Sequence, residues 1–352
     1  MADNTQVKNA NGRGGDKPTT MADIARIAGV STATVSRALA NPAVVTAETR
    51  EKIDRAVADA DYRVNTLARN LRKMETRTIL VIVPDIANPF FSDIFRGIEE
   101  VAHENGFVAV IGNTEVDPER EAAYANMARE RRADGLLLLD GKLPAWASGA
   151  SALGGVPFVM ACEYVDGPDI CLVRTDNYDA AKLAVAHLAE LGHRRIAHIA
   201  GPLDRSISQD RMRGYHDGLA EAGLDDDPAL IFEGDFGLDS GTAAIPTLML
   251  GKPTAIFTSN DEMAMGAIQG LRAMGLGVPE DVSVVGFDDI RFAGAYNPPL
   301  TTVAQPRYEI GRLATEMLMQ LLSGHELGQR QRVLNSSLVI RESSAPPAKA
   351  GG

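Results

Sequence analysis

Four side chains near the start of the chain have the types and spacing to contact DNA. Thr32, Ala33, Ser36 and Arg37 lie in TATVSRAL, a stretch whose apolar spacing predicts a helix with these four on its outer face. Thr32 and Ala33 are short enough to contact a thymine methyl group, and Arg37 can donate to guanine O6 and N7 or to a phosphate. The pattern therefore favours a helix that enters the major groove. Plain packing of two helices is the alternative interpretation.

Three predicted helices would position these side chains. The expected N-terminal caps are Thr20 with Asp23, then Ser31, then Thr46, and the expected ends are Gly29 and Asn41. Ile24, Ala25, Val30, Val35, Leu39, Ile53 and Val57 are spaced so that the three helices can share one small core. The first two helices, joined by Ala-Gly-Val, form a helix-turn-helix pattern.

Composition and charge restrict the class of protein. The chain has 352 residues, 45% of them apolar and 23% charged, which is typical of a globular protein of two or three domains. The net charge of -12 is divided unevenly, because residues 1–76 carry 12 Lys and Arg against 9 Asp and Glu. A DNA-binding segment followed by an acidic body is therefore compatible with the total charge.

Several classes of protein lack a signal in the sequence. No apolar run approaches the ~18 residues of a membrane helix, and the first 20 residues contain no secretory signal, so the cytoplasm is the expected location. Cys162 and Cys171 match neither a disulfide framework nor a zinc pattern. His187, His193 and His198 lack the pairing of a metalloenzyme site, and no nucleotide-hydrolysing or acyl-transfer motif is present. We therefore predict no enzyme, no cofactor and no metal.

From residue 77 the pattern alternates short apolar strands with amphipathic helices, which predicts parallel sheets covered by helices. The predicted strands are 78–83, 107–111, 135–139, 156–160, 195–199, 229–232, 255–258, 282–286 and 333–340. The predicted helices are 90–105, 118–132, 144–153, 178–191, 209–222, 239–250, 261–274 and 308–322. Two similar α/β halves follow from this order.

Residues 20–72 resemble a known family. The stretch from Thr20 to Arg72 is similar to the DNA-binding head and hinge of the LacI/GalR family of bacterial transcription regulators. The resemblance implies that residues 65–72 form a hinge helix on DNA and that Leu71 enters the minor groove as a wedge. The DNA-contacting residues that it implies are Thr20, Ser31, Thr32, Ala33, Thr34, Ser36, Arg37, Asn41, Asn65, Ala68 and Leu71.

The resemblance continues to about residue 341 through LGHRRIAHIAGP, RMRGY, SNDEMAMGA, VPEDVSVVGFDDI and PPLTTVAQPRYEIG. It implies a periplasmic-binding-protein-like core of two lobes joined by three crossovers near Thr175, Ala304 and Leu334. Within the family, PPLTTVAQPRYEIG and GDF at 234–236 are most similar to the cytidine-responsive repressors.

These patterns together predict the following division of the chain. We expect flexible tails at 1–19 and 342–352, a helix-turn-helix domain at 20–64, a hinge helix and linker at 65–76, and a ligand-binding and dimerisation core at 77–341. In that core the N-lobe comprises about 77–174 and 305–333, and the C-lobe about 175–304 and 334–341.

The family likeness also implies an effector site in the cleft between the lobes. Arg211 matches an arginine that grips polar ligand groups, Asp288 a carboxylate that accepts from ligand hydroxyls, and Asn260 a neighbouring amide. A guanidinium and a carboxylate in one cleft suit a polyol, because buried polar groups require partners.

Aromatic residues are also implied at the cleft, where stacked rings suit a sugar face or a base. Phe236 matches a wall position of the C-lobe, and Phe90 and Phe91 match ligand-facing positions of the N-lobe. Arg205 matches a base-contacting arginine of the purine-responsive member.

Four further residues complete the expected site. Arg174 and Asp176 lie at the first crossover, where cleft residues cluster in the family. Cys162 stands where the lactose-responsive member has a ligand aspartate, and Glu163 can substitute with a shift of one residue. Ordinary packing or ion pairing is the alternative for Phe90, Phe91, Arg174 and Arg205.

We therefore predict a ligand-responsive transcription regulator, a repressor that binds double-stranded operator DNA as a homodimer and whose effector is a small nucleoside or sugar. A solute-binding transport protein would share the core fold. It is disfavoured by the helix-turn-helix head and by the missing signal peptide.

Overall fold

The computed structural model describes residues 19–62, 75–141, 152–153, 155–165 and 170–348, with no account of the side chains at 40, 42, 152 and 153. The chain divides into two compact units, Met1–Met74 and Glu75–Gly352. The predicted hinge residues Asn65, Ala68 and Leu71 lie outside the described residues, as does most of the helix predicted at 144–153.

The first unit is a three-helix bundle. Its helices are α1 (Met21–Ala28), α2 (Thr32–Ala40) and α3 (Ala47–Asp59), with a short 3-10 turn at Pro42–Val44. Ile24, Val35 and Ile53 are fully buried at its centre. Gly29 ends α1 with a φ of 69°, a left-handed conformation that glycine adopts without steric cost. The predicted three-helix core is confirmed.

The second unit contains two mainly parallel sheets. The first has the strand order β12-β6-β5-β3-β1-β2, with β4 antiparallel to β5, and the second has the order β13-β11-β10-β9-β7-β8. Strands of the first sheet are β1 (Thr78–Val83), β2 (Val108–Asn113), β3 (Gly135–Leu138), β4 (Ala152–Leu153), β5 (Val156–Ala161), β6 (Leu172–Thr175) and β12 (Gln331–Leu334). Those of the second are β7 (Ile196–Ala200), β8 (Ile231–Glu233), β9 (Ala255–Thr258), β10 (Ser283–Asp288), β11 (Thr301–Ala304) and β13 (Ser337–Val339).

Helices cover both sheets. They are α4 (Phe91–Glu104), α5 (Pro118–Arg129), α6 (Asn177–Glu190), α7 (Ser206–Glu221), α8 (Leu238–Leu248), α9 (Asp261–Ala273) and α10 (Arg307–Leu322). The chain passes from one sheet to the other after Thr175, after Ala304 and after Leu334. We call the part around the first sheet the N-lobe and the part around the second the C-lobe. Gly97 lets α10 approach α4 closely, since a Cβ there would lie 2.2 Å from the Tyr308 carbonyl oxygen.

Four expectations about boundaries are wrong. The strand predicted at 333–340 is two strands, β12 and β13, in different sheets, because the chain crosses between the lobes within it. Residues 152–153 form the short strand β4 instead of the end of a helix. Thr19 already belongs to the first unit, where its hydroxyl donates to the Ala60 carbonyl at 3.4 Å. Glu75 and Thr76 belong to the second unit instead of a linker, and the Thr76 amide donates to Asp134 Oδ1 at 2.8 Å.

The expected C-terminal tail is also wrong for residues 342–348, which pack on the C-lobe. Ser343 is fully buried and its Oγ accepts from the Thr301 amide at 2.8 Å. The amide and carbonyl of Ala345 bond to the side chains of Ser283 and His193 at 3.0 and 2.9 Å. We call residues 341–347 the C-terminal strap. Its Ser- and Pro-rich sequence predicts a loop without fixed contacts. In the structure the Ser343 hydroxyl and the Ala345 amide instead bond to β11 and β10.

Candidate functional site

The outer face of α2 carries the predicted base-reading residues. Thr32, Ala33 and Arg37 are exposed and Ser36 is half-buried, while Val35 and Ala38 on the opposite face are buried. Arg37 Nε donates to the Ala33 carbonyl at 3.3 Å, and no carboxylate of the described residues pairs with its guanidinium. The charge of Arg37 is therefore available to an external anion.

The other predicted DNA-contacting residues of this unit cap its helices. Thr20 and Asp23 form a reciprocal capping box, with Thr20 N 3.1 Å from Asp23 Oδ2 and Asp23 N 3.3 Å from Thr20 Oγ1. Hydrogen bonds to Thr20 lower the pKa of Asp23. Ser31 Oγ accepts from the Thr34 amide at 3.1 Å and lies 2.8 Å from the Thr34 hydroxyl.

Asn41 has the same function at the other end of α2. Its Oδ1 accepts from the Ala43 amide at 3.2 Å and so caps the 3-10 turn. Thr20, Ser31 and Asn41 are exposed, and each fixes the backbone at one end of a helix. A phosphate contact by any of them would therefore use a side chain that the fold has already oriented.

A cavity of about 440 Å³ lies between the two lobes of the second unit. This volume is in the range of small-molecule sites. Nine predicted effector residues line it, namely Phe90, Phe91, Cys162, Glu163, Arg205, Arg211, Phe236, Asn260 and Asp288.

Arg211 is held at the floor of the cavity by α7. Its side chain is 3% exposed, its Nε donates to Asn177 Oδ1 at 2.9 Å, and its Nη1 donates to the Ser259 carbonyl. The guanidinium carbon lies 3.9 Å from the centre of the Phe287 ring, a cation–π distance. Burial lowers the pKa of Arg211, whereas the charges of Asp288 and Glu163 raise it. These contacts fix one edge of the guanidinium.

Asp288 ends β10 in a left-handed conformation, with a φ of 112°. Its Oδ1 accepts from Gln305 Nε2 at 2.7 Å. Burial raises the pKa of Asp288 to about 6, although Arg211 and the Gln305 hydrogen bond lower it. The second carboxylate oxygen can accept from a ligand hydroxyl.

Asn260 and Gly201 position the aromatic wall of the C-lobe. Asn260 caps α9 through Met263 N and donates to the Phe236 carbonyl at 2.7 Å, at a residue whose φ is 70°. A Cβ at Gly201 would lie 2.3 Å from the Phe236 ring, so only glycine leaves room for it. Asn260 therefore orients Phe236 in addition to lining the cavity.

The N-lobe wall is mainly apolar. The rings of Phe90 and Phe91 meet edge to face with centres 5.1 Å apart, and both residues are buried in the N-lobe core. Cys162 is buried in the same cluster, and burial raises the pKa of its thiol. Ring faces and a neutral thiol are suited to an apolar part of a ligand.

Arg205 joins the two lobes at one side of the cavity. From the C-lobe its Nη1 donates to the Asp140 carbonyl at 2.7 Å and lies 3.3 Å from Glu163 Oε2. Burial raises the pKa of Glu163 to about 7, which Arg205 partly opposes. The side chains of both residues are about one-tenth exposed.

Arg174 and Asp176 are not among the described residues that line the cavity, and their contact with an effector stays a prediction. Arg174 stacks over the Tyr164 ring at 4.8 Å and donates to the Thr175 carbonyl. Asp176 caps α6 by accepting from the Asp179 amide at 3.1 Å. Both lie beside the crossover after Thr175.

The sequence analysis did not predict several of the residues that line the cavity. Asn177 follows Asp176 and binds Arg211, and Gln305 follows the crossover at Ala304 and binds Asp288. The cavity is also lined by Asp85, Asn88, Asp204, Asp235 and Glu262. Their positions at the ends of predicted strands could have identified several of them, since ligands bind at the carboxyl ends of parallel strands.

The described part of the chain contains no helix that is both long enough and apolar enough to cross a membrane. The same residues contain no group of three or more His, Cys, Asp or Glu side chains placed to hold a metal ion.

Comparison with known proteins agrees with this architecture. Residues 20–65 match the family model described as bacterial regulatory proteins, lacI family, and residues 185–344 match the periplasmic binding protein-like domain. The HTH-type transcriptional repressor CytR of Escherichia coli (strain K12) is 42% identical over 327 residues, covering 92% of this chain and 96% of that protein. The ribose operon repressor of Haemophilus influenzae is 35% identical over 326 residues, covering 92% and 98%.

A solved structure shows the same fold. The lac repressor dimer bound to operator and the anti-inducer ONPF matches with a TM-score of 0.84 and 32% identity, covering 94% of this chain and 100% of that one. A helix-turn-helix unit followed by a two-lobed unit with a polar cleft defines a ligand-responsive, DNA-binding transcription regulator. This chain belongs to the LacI family of bacterial regulatory proteins.

Proposed function

We propose that this regulator is a cytoplasmic repressor that binds an inverted-repeat operator as a homodimer. In this proposal an uncharged nucleoside in the cleft, with cytidine as the first candidate, changes its affinity for the operator. The observation that carries the effector site is that Arg211 and Asp288 are both buried and both line one cavity.

The charges of the cavity favour an effector without a phosphate. Its described lining contains six carboxylates, at Asp85, Glu163, Asp204, Asp235, Glu262 and Asp288, against the two cations Arg205 and Arg211. A phosphate would be repelled by most of these groups, and burying its charge is costly without an excess of cations. Neutral hydroxyls, by contrast, find abundant acceptors.

The two walls suggest how a nucleoside would lie. Asp288 would accept from ribose hydroxyls, while Arg211 would donate to a ring or hydroxyl oxygen. Phe236 and the Phe90–Phe91 pair would contact the flat faces of the ligand. Arg205 and Glu163 offer a donor and an acceptor side by side, a pattern that suits the edge of a base. Cys162 and Asn260 would complete the enclosure.

In the DNA-binding unit, α2 would occupy the major groove of each half-site. Thr32, Ala33 and Ser36 would contact base edges, and Arg37 would contact guanine or phosphate. Thr20, Ser31, Thr34 and Asn41 would lie beside the backbone, where helix N-termini favour phosphate. Asn65, Ala68 and Leu71 stay proposed hinge contacts.

The homodimer is supported by symmetry and by one exposed apolar strand. A single helix-turn-helix contacts one half-site, so a palindromic operator requires two copies. At the edge of the first sheet, β2 exposes Val108, Val110 and Ile111. A second copy would cover this edge strand, which would otherwise invite aggregation.

Footprinting tests the DNA-binding part of the proposal. The full-length protein should protect a site with two-fold symmetry, and its affinity should fall steeply with salt because phosphate contacts release counterions. Arg37→Ala should weaken operator binding, while the control Arg50→Ala, whose side chain pairs with Asp54 on α3, should have a smaller effect. An asymmetric site or salt-independent binding would contradict this assignment.

Calorimetry tests the effector. Cytidine should bind, and cytidine monophosphate should bind at least about tenfold more weakly, because the carboxylates repel its phosphate. Ribose and a hexose serve as sugar probes. Tighter binding of a hexose than of cytidine would replace the nucleoside by a sugar, and tight binding of the monophosphate would refute the charge argument.

A further inference from the structure

A third buried carboxyl lies behind the proposed effector site. Asp261, the first residue of α9, is fully buried. Its Oδ2 accepts from the Ile290 amide at 2.8 Å, and the Thr302 hydroxyl donates to its Oδ1 at 2.5 Å. Asp261 does not line the cavity, so a direct ligand contact is not its function.

One of these hydrogen bonds reaches the turn that presents Asp288 directly, and the other reaches it through Thr302 on β11. Asp288 and Asp289 have φ values of 112° and 54°, which residues with a Cβ rarely adopt. Each such conformation costs roughly a kcal/mol or more unless the surroundings impose it. Asp261 binds the amide that follows these two residues, and Thr302 accepts from the Asp289 amide at 3.4 Å.

The carboxyl of Asp261 packs closely against β10. A Cβ at Gly286, two residues before Asp288 on β10, would lie 2.2 Å from Asp261 Oδ1. Gly286 pairs with Thr302 across the two strands. The glycine therefore lets the carboxyl lie against the strand and connect α9, β10 and β11 at one point.

Two arginines also contact the turn. Arg307 Nη2 donates to the Asp289 carbonyl at 2.8 Å, and Arg341 Nη2 lies 2.7 Å from Asp289 Oδ1. Both bind Asp289, so neither holds the Ile290 amide. That function belongs to Asp261.

We propose that Asp261 is the positioning residue of the effector site, holding the left-handed turn at Asp288–Ile290 so that the Asp288 carboxylate faces the cleft. The inference rests on the proposed function in one respect, that Asp288 binds the effector. Burial and the charge of Asp288 raise the pKa of Asp261 well above its usual value.

In the structure the Asp261 carboxyl accepts both bonds, one from the Ile290 amide and one from the Thr302 hydroxyl. Asparagine has nearly the same volume. Its carbonyl oxygen can accept from the Ile290 amide, and its NH2 group can donate to the Thr302 oxygen once that hydroxyl rotates. Asp261→Asn should therefore retain function, whereas Asp261→Ala loses both bonds.

The first experiment measures cytidine binding by calorimetry on the full-length protein. Asp261→Ala should raise the Kd about tenfold or more, and Asp261→Asn should stay within about threefold of wild type. Ser283→Ala is the matched control, because Ser283 is a fully buried hydroxyl at the opposite end of β10, bonded to Ala345. It should lower the melting temperature but leave the Kd unchanged.

The variant Asp288→Asn distinguishes the positioning function of Asp261 from the assignment of Asp288 as a ligand-binding residue. If it weakens binding and Asp261→Ala does not, the positioning function is wrong and the effector site stands. If neither variant changes the Kd, the assignment of Asp288 as a ligand is wrong.

The second experiment requires no ligand. Hydrogen exchange followed by mass spectrometry should show faster exchange in the peptide containing residues 288–290 of Asp261→Ala, but not of Asp261→Asn or Ser283→Ala. Unchanged protection of that peptide in Asp261→Ala would overturn the proposal, whether or not cytidine is the effector.

Discussion

In the helix-turn-helix unit, capping side chains find partners two or three residues away, whereas in the cleft the partners come from distant parts of the chain. Thr20 binds Asp23, and Ser31 binds Thr34. Arg211 instead binds a residue 34 positions away, and Asp261 one 41 positions away.

This difference separates two sources of order. A local cap forms with its helix and depends on little else, so its loss affects one helix end. A buried network requires the whole lobe, and removal of one member leaves the others without partners. Substitutions in the cleft should therefore have larger effects than substitutions in the caps.

The largest effect is expected for Arg211→Ala. It removes a buried cation, leaves Asn177 Oδ1 and the Ser259 carbonyl without that donor, and withdraws the positive charge that lowers the pKa of Asp288. Each buried polar group left without a partner costs about 1–3 kcal/mol. We expect a lower melting temperature of the second unit and no detectable effector response. Calorimetric unfolding and cytidine titration measure the two effects.

Arg211→Lys and Arg194→Ala are the comparison variants. Lysine keeps the charge but not the planar fork, so stability should recover more than effector binding. Arg194 is exposed in the same lobe, and its loss should stay within about 0.5 kcal/mol. If Arg194→Ala and Arg211→Ala lowered stability equally, the distinction between the buried hydrogen-bond network and the protein surface would be wrong.

An intermediate effect is expected from pH. Burial raises the pKa of Asp288 to about 6, so the carboxylate that accepts from effector hydroxyls is lost as the pH falls through 6. Effector affinity should drop about tenfold between pH 7.5 and pH 5 if the ionised form binds. Titrations over this range test it, and Asp288→Asn should flatten the profile.

The free energy of unfolding should depend on pH in the opposite direction from effector affinity at the buried carboxyls. A carboxyl whose folded pKa is raised contributes stability that is present below its unfolded value and is lost as pH rises through the folded value. This applies to Asp288 and to Glu163, whose pKa burial raises to about 7. Asp23 in the first unit has a lowered pKa, so its contribution is lost on acidification. If the stability of both units changed with pH in the same direction, the contrast between Asp23 and the buried carboxyls of the cleft would be wrong.

The smallest effect is expected from the caps. Ser31→Ala and Thr46→Ala each remove a side-chain oxygen that accepts from a helix amide, and each should cost about 1 kcal/mol. Only Ser31 lies at the start of α2, so operator affinity should fall further for Ser31→Ala. Hydrogen exchange of the first unit and operator titration distinguish the two. Equal operator affinity in both variants would show that Ser31 acts through the cap alone.

The same contrast explains what could be predicted. Caps and the glycine that ends α1 follow local rules, and their partners are visible in the sequence. Asn177 and Gln305 were missed because their importance comes from partners on other elements, Arg211 and Asp288. The contacts of Arg174 with the Tyr164 ring and the Thr175 carbonyl could not be predicted either, because proximity to a crossover does not determine the partners of a side chain.

The second unit cannot be complete until the C-terminal strap has been synthesised. The second sheet ends with strand β13, and Ala345 of the strap then bonds to Ser283 and His193. The helix-turn-helix unit, by contrast, is fully translated by residue 62. At roughly 5–20 residues per second, the interval between these two points is about 15–60 s. A nascent chain can therefore carry a folded DNA-binding unit for about 15–60 s before the second unit is complete.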